Sequence, residues 1–304
     1  MSEPAPRSGP GKWRALIQRL ESMGFRPSRT RGQNFLFDDA LLDLIAAEAQ
    51  LDRECAVLEV GPGCGVLTER LGPLSAEVLA VELDPQLAEL TRERTEACGN
   101  VEVVCADALS GKHALAPQIV EWTRSKPRWR LVANLPYSVG TPVLVACSRL
   151  EHPPEAMFVL LQLELVERIA ASPGSKSWGA VSAKLQLAYD VRQVRRVGPH
   201  VFWPRPSVDS ALARLTRRAP FPTQRQAAQF DALANHLFAQ RRKTVRSRLA
   251  ALPGGRPKAE AVCAELGLGD ARPEQLSVDQ LLALGDTLER VGLTPPLGAN
   301  GAVD

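Results

Sequence analysis

Asn134, Leu135, Pro136 and Tyr137 follow directly on Trp129 to Ala133 (WRLVA), an apolar run that reads as a buried strand. At that strand's carboxyl end they set side by side a side-chain amide, a main-chain carbonyl freed from sheet pairing by the next proline, and an aromatic face. Those parts suit methyl transfer to an aryl-type amine. The lone pair of such a nitrogen is delocalised into its ring, and acceptors on both N–H groups help it pyramidalise toward an electrophilic methyl. The flat ring needs a stacking partner, and the face of Tyr137 offers about 1–3 kcal/mol. No general base with a shifted pKa is required at the outset, since the proton becomes acidic only once the methyl has arrived. Catalysis then reduces to positioning and desolvation.

A methyl donor needs a site, and Val57 to Leu67 (VLEVGPGCGVL) supplies a candidate. Val57 to Val60 reads as a buried strand, Gly61, Gly63 and Gly65 as a tight turn, and the stretch from Val66 through Leu67, Arg70 and Leu71 as a helix. Strand, glycine turn and helix form the first half of a βαβ unit, where open parallel sheets bind nucleotide-like ligands. A dinucleotide fingerprint would want its third glycine at position 66, which is Val66. A second strand, Glu77 to Leu83, ends in Glu82 and Asp84, and Glu82 lies 21 residues past Gly61, where an acid takes both ribose hydroxyls. A glycine turn, a ribose acid and no GK[ST] suit S-adenosylmethionine; a plain βα turn is the bland alternative.

Further elements position these groups. Lys12 to Gly24 is an amphipathic helix with Trp13, Leu16, Ile17 and Leu20 on one face, after an expected disordered stretch at residues 1–11. Arg26 to Phe37 (RPSRTRGQNFLF) embeds two side-chain amides, Gln33 and Asn34, beside apolar residues, so it is either a loop over a polar ligand or a polar turn before a helix at Asp39 to Gln50. Pro85 to Cys98 is a helix, and Val101 to Cys105 a third strand leading to Asp107, which either accepts an adenine amine or caps a helix.

The 304 residues, 45% hydrophobic and 23% charged, place the chain among soluble globular proteins of one large or two ordinary domains, and no run of 18 apolar residues spans a membrane. The first 30 residues lack an export signal, although their arginine richness leaves an organelle-targeting reading open. Six cysteines show no CxxC, so no metal is expected, and Cys55, Cys105 and Cys147 sit in or beside apolar runs where reduced cysteines pack. Charge is segregated: residues 190–256 carry fourteen Lys/Arg against three Asp/Glu, and residues 1–36 seven against two, within a chain of net +3. Past Phe221, Phe230, Leu233, Leu237, Val245 and Leu249 follow helical spacing while Arg241, Arg242, Lys243, Arg246 and Arg248 crowd the polar side. Such crowding suits a polyanion.

In combination, GQNFL (32–36), LEVGPGCGVLT (58–68), VELD (81–84), DAL (107–109) and NLPY (134–137) resemble the ribosomal RNA adenine N6,N6-dimethyltransferases. The likeness continues through ERIAASPGSKSWG (167–179), FWPRPSVDSA (202–211) and FAQRRKTVRSRL (238–249), and covers residues 26 to 290. The resemblance implies an α/β fold: a Rossmann-like S-adenosylmethionine-dependent methyltransferase sheet with a small α-helical C-terminal domain. The expected divisions are an extension at 1–25, a catalytic domain at 26–218, a helical RNA-binding domain at 219–294 and a loose tail at 295–304. It implies cofactor contacts from Asn34, Leu36, Gly61, Gly63, Glu82, Asp107 and Asn134, with Tyr137 and Phe202 sandwiching a flipped-out base.

The implied substrate is two adjacent adenines in a hairpin near the 3′ end of small-subunit rRNA, within a 30S-like assembly intermediate, and the enzyme is expected to be monomeric and cytoplasmic. The sequence departs from the family pattern at Arg31, at Leu163 in place of a lysine, and at Trp178 in place of a tyrosine. Two rivals are a resistance methyltransferase acting on a large-subunit adenine and a non-catalytic RNA-binding factor. NLPY and FWPRPSVDSA favour the small-subunit reading over the first, and the intact cofactor motifs argue against the second.

Overall fold

The computed structural model describes residues 12–28, 32–111 and 114–297. The disorder expected for residues 1–11, the departure at Arg31 and positions 298–304 of the tail lie outside the described residues. Helix α1 (Lys12–Ser22) buries Trp13, Leu16, Ile17 and Leu20, the face its spacing predicts. A short strand β1 (Phe35–Leu36) leads to α2 (Asp39–Glu48), whose N-cap Asp38 accepts from the Leu41 N–H at 2.8 Å.

The sheet then begins with β2 (Ala56–Val60), buried throughout. Helix α3 (Thr68–Leu71) is shorter than the apolar spacing suggests, because Pro73 turns the chain into a 3₁₀ segment at Gly72–Leu74. Next come β3 (Glu77–Glu82) and α4 (Pro85–Thr95), opened by an Asp84 cap and a proline in its first turn. Helix α4 likewise gives way to a 3₁₀ segment before β4 (Val101–Cys105). A small antiparallel pair, β5 (Leu109–Ser110) and β6 (Ala114–Leu115), precedes α5 (Pro117–Arg124) and β7 (Trp129–Asn134). Helix α6 (Gly140–Cys147), β8 (Ala156–Gln162), α7 (Leu163–Ile169), α8 (Ala180–Ala188) and β9 (Tyr189–Val197) follow. Strand β10 (Phe202–Trp203) pairs with β1, and β11 (Ser210–Arg217) runs antiparallel to β8.

The seven-stranded sheet has the order β4-β3-β2-β7-β8-β11-β9. From β2 the chain steps outward through β3 to β4, then returns to place β7 on the other side of β2, with parallel pairing on both. That reversal opens a crevice at the carboxyl ends of β2 and β7, where open α/β sheets take ligands.

Chain contacts divide the protein into two compact units: residues 1–166 with 192–216, and residues 167–191 with 217–304. Residues 167–191 group with the C-terminal segment; of the expected divisions, the one between the catalytic and helical domains falls at 218/219. In the second unit, α9 (Gln224–Phe238), α10 (Val245–Ala250), α11 (Gly255–Glu265) and α12 (Val278–Arg290) pack around Phe230, Leu233, Leu237, Val245, Leu249, Leu281 and Leu284. Trp178, the aromatic that replaces tyrosine, is fully buried in this core. Leu163, the other departure within the described residues, opens α7, where its N–H donates to the Asp209 carbonyl at 2.9 Å.

Two expectations need correction. Cys105 is exposed, since β4 is the edge strand of the sheet, while Cys55 and Cys147 are buried as expected. The basic stretch past Phe230 is not one helical face: α9 ends at Phe238 and α10 begins at Val245, so Arg241, Arg242 and Lys243 sit in the connector. Among the described residues no helix is long and apolar enough to cross a membrane, and no His/Cys/Asp/Glu group could hold a metal ion.

Candidate active site

Four strand ends and one preceding loop converge on a cavity of about 230 Å³. Residues 32–36 come from the loop and β1, the glycine turn from β2, Glu82 from β3, Asp107 from beyond β4, and Asn134 to Tyr137 from the end of β7. Asn34, Leu36, Gly61, Gly63, Glu82, Asp107, Asn134, Leu135, Pro136 and Tyr137 therefore line one space, although residues 34 and 137 stand more than a hundred positions apart in the chain. Phe202 does not join them. It is 3% exposed, sits in β10 opposite Leu36, and belongs to the apolar core with Phe35 and Phe37.

Backbone approach explains two of the glycines. Gly61 has φ +72°, and a Cβ there would lie 2.9 Å from Pro136 Cδ. Gly32 has φ +64°, and a Cβ there would lie 2.9 Å from the Tyr137 nitrogen. The NLPY segment is thus held between two backbones that tolerate no side chain on that side. The turn itself is tied to the sheet: the Gly61 N–H donates to the Val81 carbonyl at 2.9 Å, and the Thr91 hydroxyl to the Gly63 carbonyl at 2.9 Å.

Glu82 is 6% exposed and accepts from two main-chain donors, the Gly63 N–H at 2.9 Å and the Asp84 N–H at 3.0 Å. Burial pushes its carboxyl up from the usual range, and those two N–H groups pull it back. Asp107 accepts from the Leu109 N–H at 2.9 Å and is followed by β5, so it closes a local turn and caps no helix. Asn134 donates from Nδ2 to the Asn34 carbonyl at 3.1 Å. The Tyr137 hydroxyl shares a 2.9 Å hydrogen bond with the Ser210 hydroxyl, which fixes the ring of a partly buried phenol whose pKa burial raises. Cys64, inside the turn, is buried, and desolvation pushes its thiol up so that it stays protonated.

One wall residue is absent from the candidates that motif and spacing single out. Glu59, 1% exposed, stands in β2 two residues before Gly61, and burial raises its carboxyl to about 8. The neighbouring Thr68 hydroxyl is the one group favouring the charged form, yet Glu59 Oε2 and Thr68 Oγ1 have no hydrogen-bond partner. The sequence does carry a signal for it: an acid at an all-buried position of VLEV, next to the turn. A carboxyl raised from 4.5 to about 8 contributes stability that is complete below the lower value and lost as pH climbs to the upper one. Glu59→Gln is therefore expected to match the wild type at pH 4 and to exceed it by a few kcal/mol near pH 8. Thermal unfolding across that range checks it, and a difference between the two proteins that does not change with pH would refute it.

Among the described residues the cavity wall carries the carboxyls of Glu59, Glu82 and Asp107 and no lysine, arginine or histidine. A pyrophosphate would meet like charge there, whereas a ligand with sulfonium and ammonium groups meets its complement. With Glu82 beside the turn for a ribose and an unpartnered Glu59 oxygen in the wall, the residues present fit S-adenosylmethionine.

In the second unit the basic residues differ among themselves. Arg241, Arg242 and Lys243 are exposed; Arg246 pairs with Asp270 at 3.1 Å; Arg248 donates through Nε to the His236 carbonyl at 3.0 Å and ties α10 to α9. Arg248 is thus engaged within the fold, and the connector carries the charge that faces solvent.

Residues 25–286 match the family model described as ribosomal RNA adenine dimethylase. Over 271 residues the chain is 39% identical to the "Ribosomal RNA small subunit methyltransferase A" of Thermobifida fusca, covering 87% of this chain and 91% of that protein. A crystal structure of a dimethyladenosine transferase from Plasmodium falciparum matches with a TM-score of 0.72 at 21% identity, over 86% of this chain and 100% of the other, a likeness of fold. That of the 23S rRNA methyltransferase ErmE matches with a TM-score of 0.64 at 28% identity, over 84% and 99%.

Proposed function

The chain belongs to the ribosomal RNA adenine dimethylase family, and from that premise we propose that it dimethylates the N6 amines of two adjacent adenines in the 3′-terminal hairpin of small-subunit rRNA. It is an S-adenosylmethionine-dependent methyltransferase acting on ribosomal RNA. One observation carries the site assignment: the turn with Glu82 and the strand tip with Asn134 to Tyr137 line the same cavity.

S-adenosylmethionine supplies an electrophilic methyl on a sulfonium. Glu82 takes the ribose hydroxyls, Asp107 the adenine amine, Gly61 and Gly63 let backbone lie close, and Asn34 and Leu36 close the loop side. Asn134 Oδ1 and the Leu135 carbonyl accept from the target amine, Pro136 having no N–H to extend the β7 ladder, and the face of Tyr137 carries the flipped base. Phe202, in β10 opposite Leu36, is the second stacking face for that base. Arg241, Arg242 and Lys243 meet phosphates, with Arg246 in support.

The substrate form is an assembly intermediate of the small subunit, met by a monomer in the cytoplasm. Methyl-deficient small subunits given labelled donor are expected to gain two methyls on each adenine of the 3′ fragment by mass analysis. Affinity should fall roughly 10- to 100-fold between 50 and 200 mM salt, from a few phosphate contacts. Label entering large-subunit rRNA, or a flat salt response, would count against the substrate and against the basic connector respectively.

A further inference from the structure

We infer that the main-chain carbonyl of Asn34 is a positioning group for the reaction: by taking up the Asn134 amide N–H, it fixes which way round that amide lies and leaves Oδ1 as the acceptor for the target amine. The inference rests on the role proposed for Asn134. The two ends of an asparagine side chain have nearly the same shape and differ only in what they donate or accept. A carbonyl oxygen only accepts, so the atom 3.1 Å from Asn34 O is the NH₂. Turned over, the amide would set oxygen against oxygen at Asn34 and NH₂ against the amine of the base, a mismatch at both ends.

The Asn34 carbonyl is itself held from both directions. On one side, Gln33 and Ser28 exchange hydrogen bonds, Gln33 N–H to the Ser28 carbonyl at 3.2 Å and Ser28 N–H to Gln33 Oε1 at 2.7 Å. Asn34 also donates from its own side chain to the Gly32 carbonyl at 3.2 Å. On the other side, Phe35 enters β1 and pairs with Trp203. The approach of Gly32 to the Tyr137 nitrogen then fastens the loop to the strand tip. Residues 32–36 thus do more than border a cofactor. They set the hydrogen-bonding sense of the residue at the reacting end.

Asn134→Asp separates acceptor from donor. The carboxylate keeps an oxygen for the amine but has no hydrogen for Asn34 O, and a protonated carboxyl restores both. The titratable groups lining the same cavity are Glu59, Cys64, Glu82, Asp107 and Tyr137, with no basic side chain among the described residues. Like charges and the facing carbonyl hold the introduced carboxyl above its ordinary pKa of about 3.9. The rate of N134D relative to wild type, which cancels titrations common to both, is expected to be roughly 100-fold down at pH 8. It should rise about tenfold per pH unit as the carboxyl protonates. Donor affinity by calorimetry, measured alongside, should stay within about tenfold of wild type. In unliganded wild type, selective asparagine labelling should show one of the two Asn134 side-chain N–H groups protected from exchange.

A relative N134D rate that does not change with pH, with N134A inactive, would overturn the positioning role alone. Equal, unprotected exchange of both N–H groups would do the same and does not depend on how the variant folds. N134A turning over within tenfold of wild type would instead overturn the role of Asn134, and the inference with it.

Discussion

Asn134→Ala is expected to slow single-turnover methyl transfer by at least roughly 10³-fold while leaving rRNA affinity unchanged and donor affinity within about tenfold. The side chain does two things at β7's tip: Oδ1 accepts from the target amine, and Nδ2 holds the Asn34 carbonyl at 3.1 Å. The first matters most as the nitrogen pyramidalises, because an acceptor on its N–H strengthens as that nitrogen gains positive charge. An interaction that grows toward the transition state appears in the rate and hardly in ground-state binding. Loss of the second loosens the loop bearing Asn34 and Leu36, which is why a modest change in donor affinity is allowed. Rapid-quench transfer to methyl-deficient small subunits, with filter binding of the same RNA, checks both. Wild-type turnover by the variant would remove Asn134 from the chemistry.

Glu82→Ala is expected to weaken S-adenosylmethionine binding roughly 100-fold or more, about 3 kcal/mol. Both carboxylate oxygens are engaged, one with the Gly63 N–H and the other with the Asp84 N–H. Alanine leaves two backbone donors without partners in a buried place, at a cost of about 1–3 kcal/mol each, and removes the ribose acceptor. Glutamine does little better. One of its ends is an NH₂ that must face a backbone N–H, donor against donor, so Glu82→Gln should fall closer to alanine than to wild type. Calorimetric titration of the three proteins with the donor decides it; near-native affinity in Glu82→Gln would show that charge and acceptor geometry at this position matter little.

Both residues are legible in the amino-acid sequence, and the reason is local. An apolar run broken by glycines specifies a strand and a turn whatever surrounds it, and β2 and the turn form where VLEVGPG places them. An acid at the end of the next apolar run falls at the tip of the adjacent parallel strand, since β3 pairs with β2 in register from Ala56↔Glu77 to Val60↔Val81. A proline after an asparagine and a leucine ends the ladder of β7 by its chemistry alone. The helix faces of α1 and α9 also follow from spacing.

What does not read through are properties set by neighbours distant in sequence. Cys105 has the flanking residues of a buried cysteine, but exposure depends on which strand ends the sheet, and strand order is not local. Phe202 and Arg248 have suitable types for base stacking and phosphate contact, but that Phe202 lies opposite Leu36 in β1 and that Arg248 bonds the His236 carbonyl in α9 are set by segments distant in sequence. The weight of Glu59 is hidden in the sequence because a carboxyl's pKa is a property of the apolar wall around it.

The sequence by itself determined the parts: a glycine turn, a ribose acid, an amide-proline-aromatic strand tip and a basic stretch. Spacing and residue chemistry act over a few positions, so those parts survive any arrangement of the rest. Tertiary structure alone decided their relations: that five segments share one acidic cavity, and that a carbonyl 100 residues upstream of Asn134 turns its amide. A hydrogen bond has direction and reaches about 3 Å, so which groups it joins is known only once the backbone has brought them together.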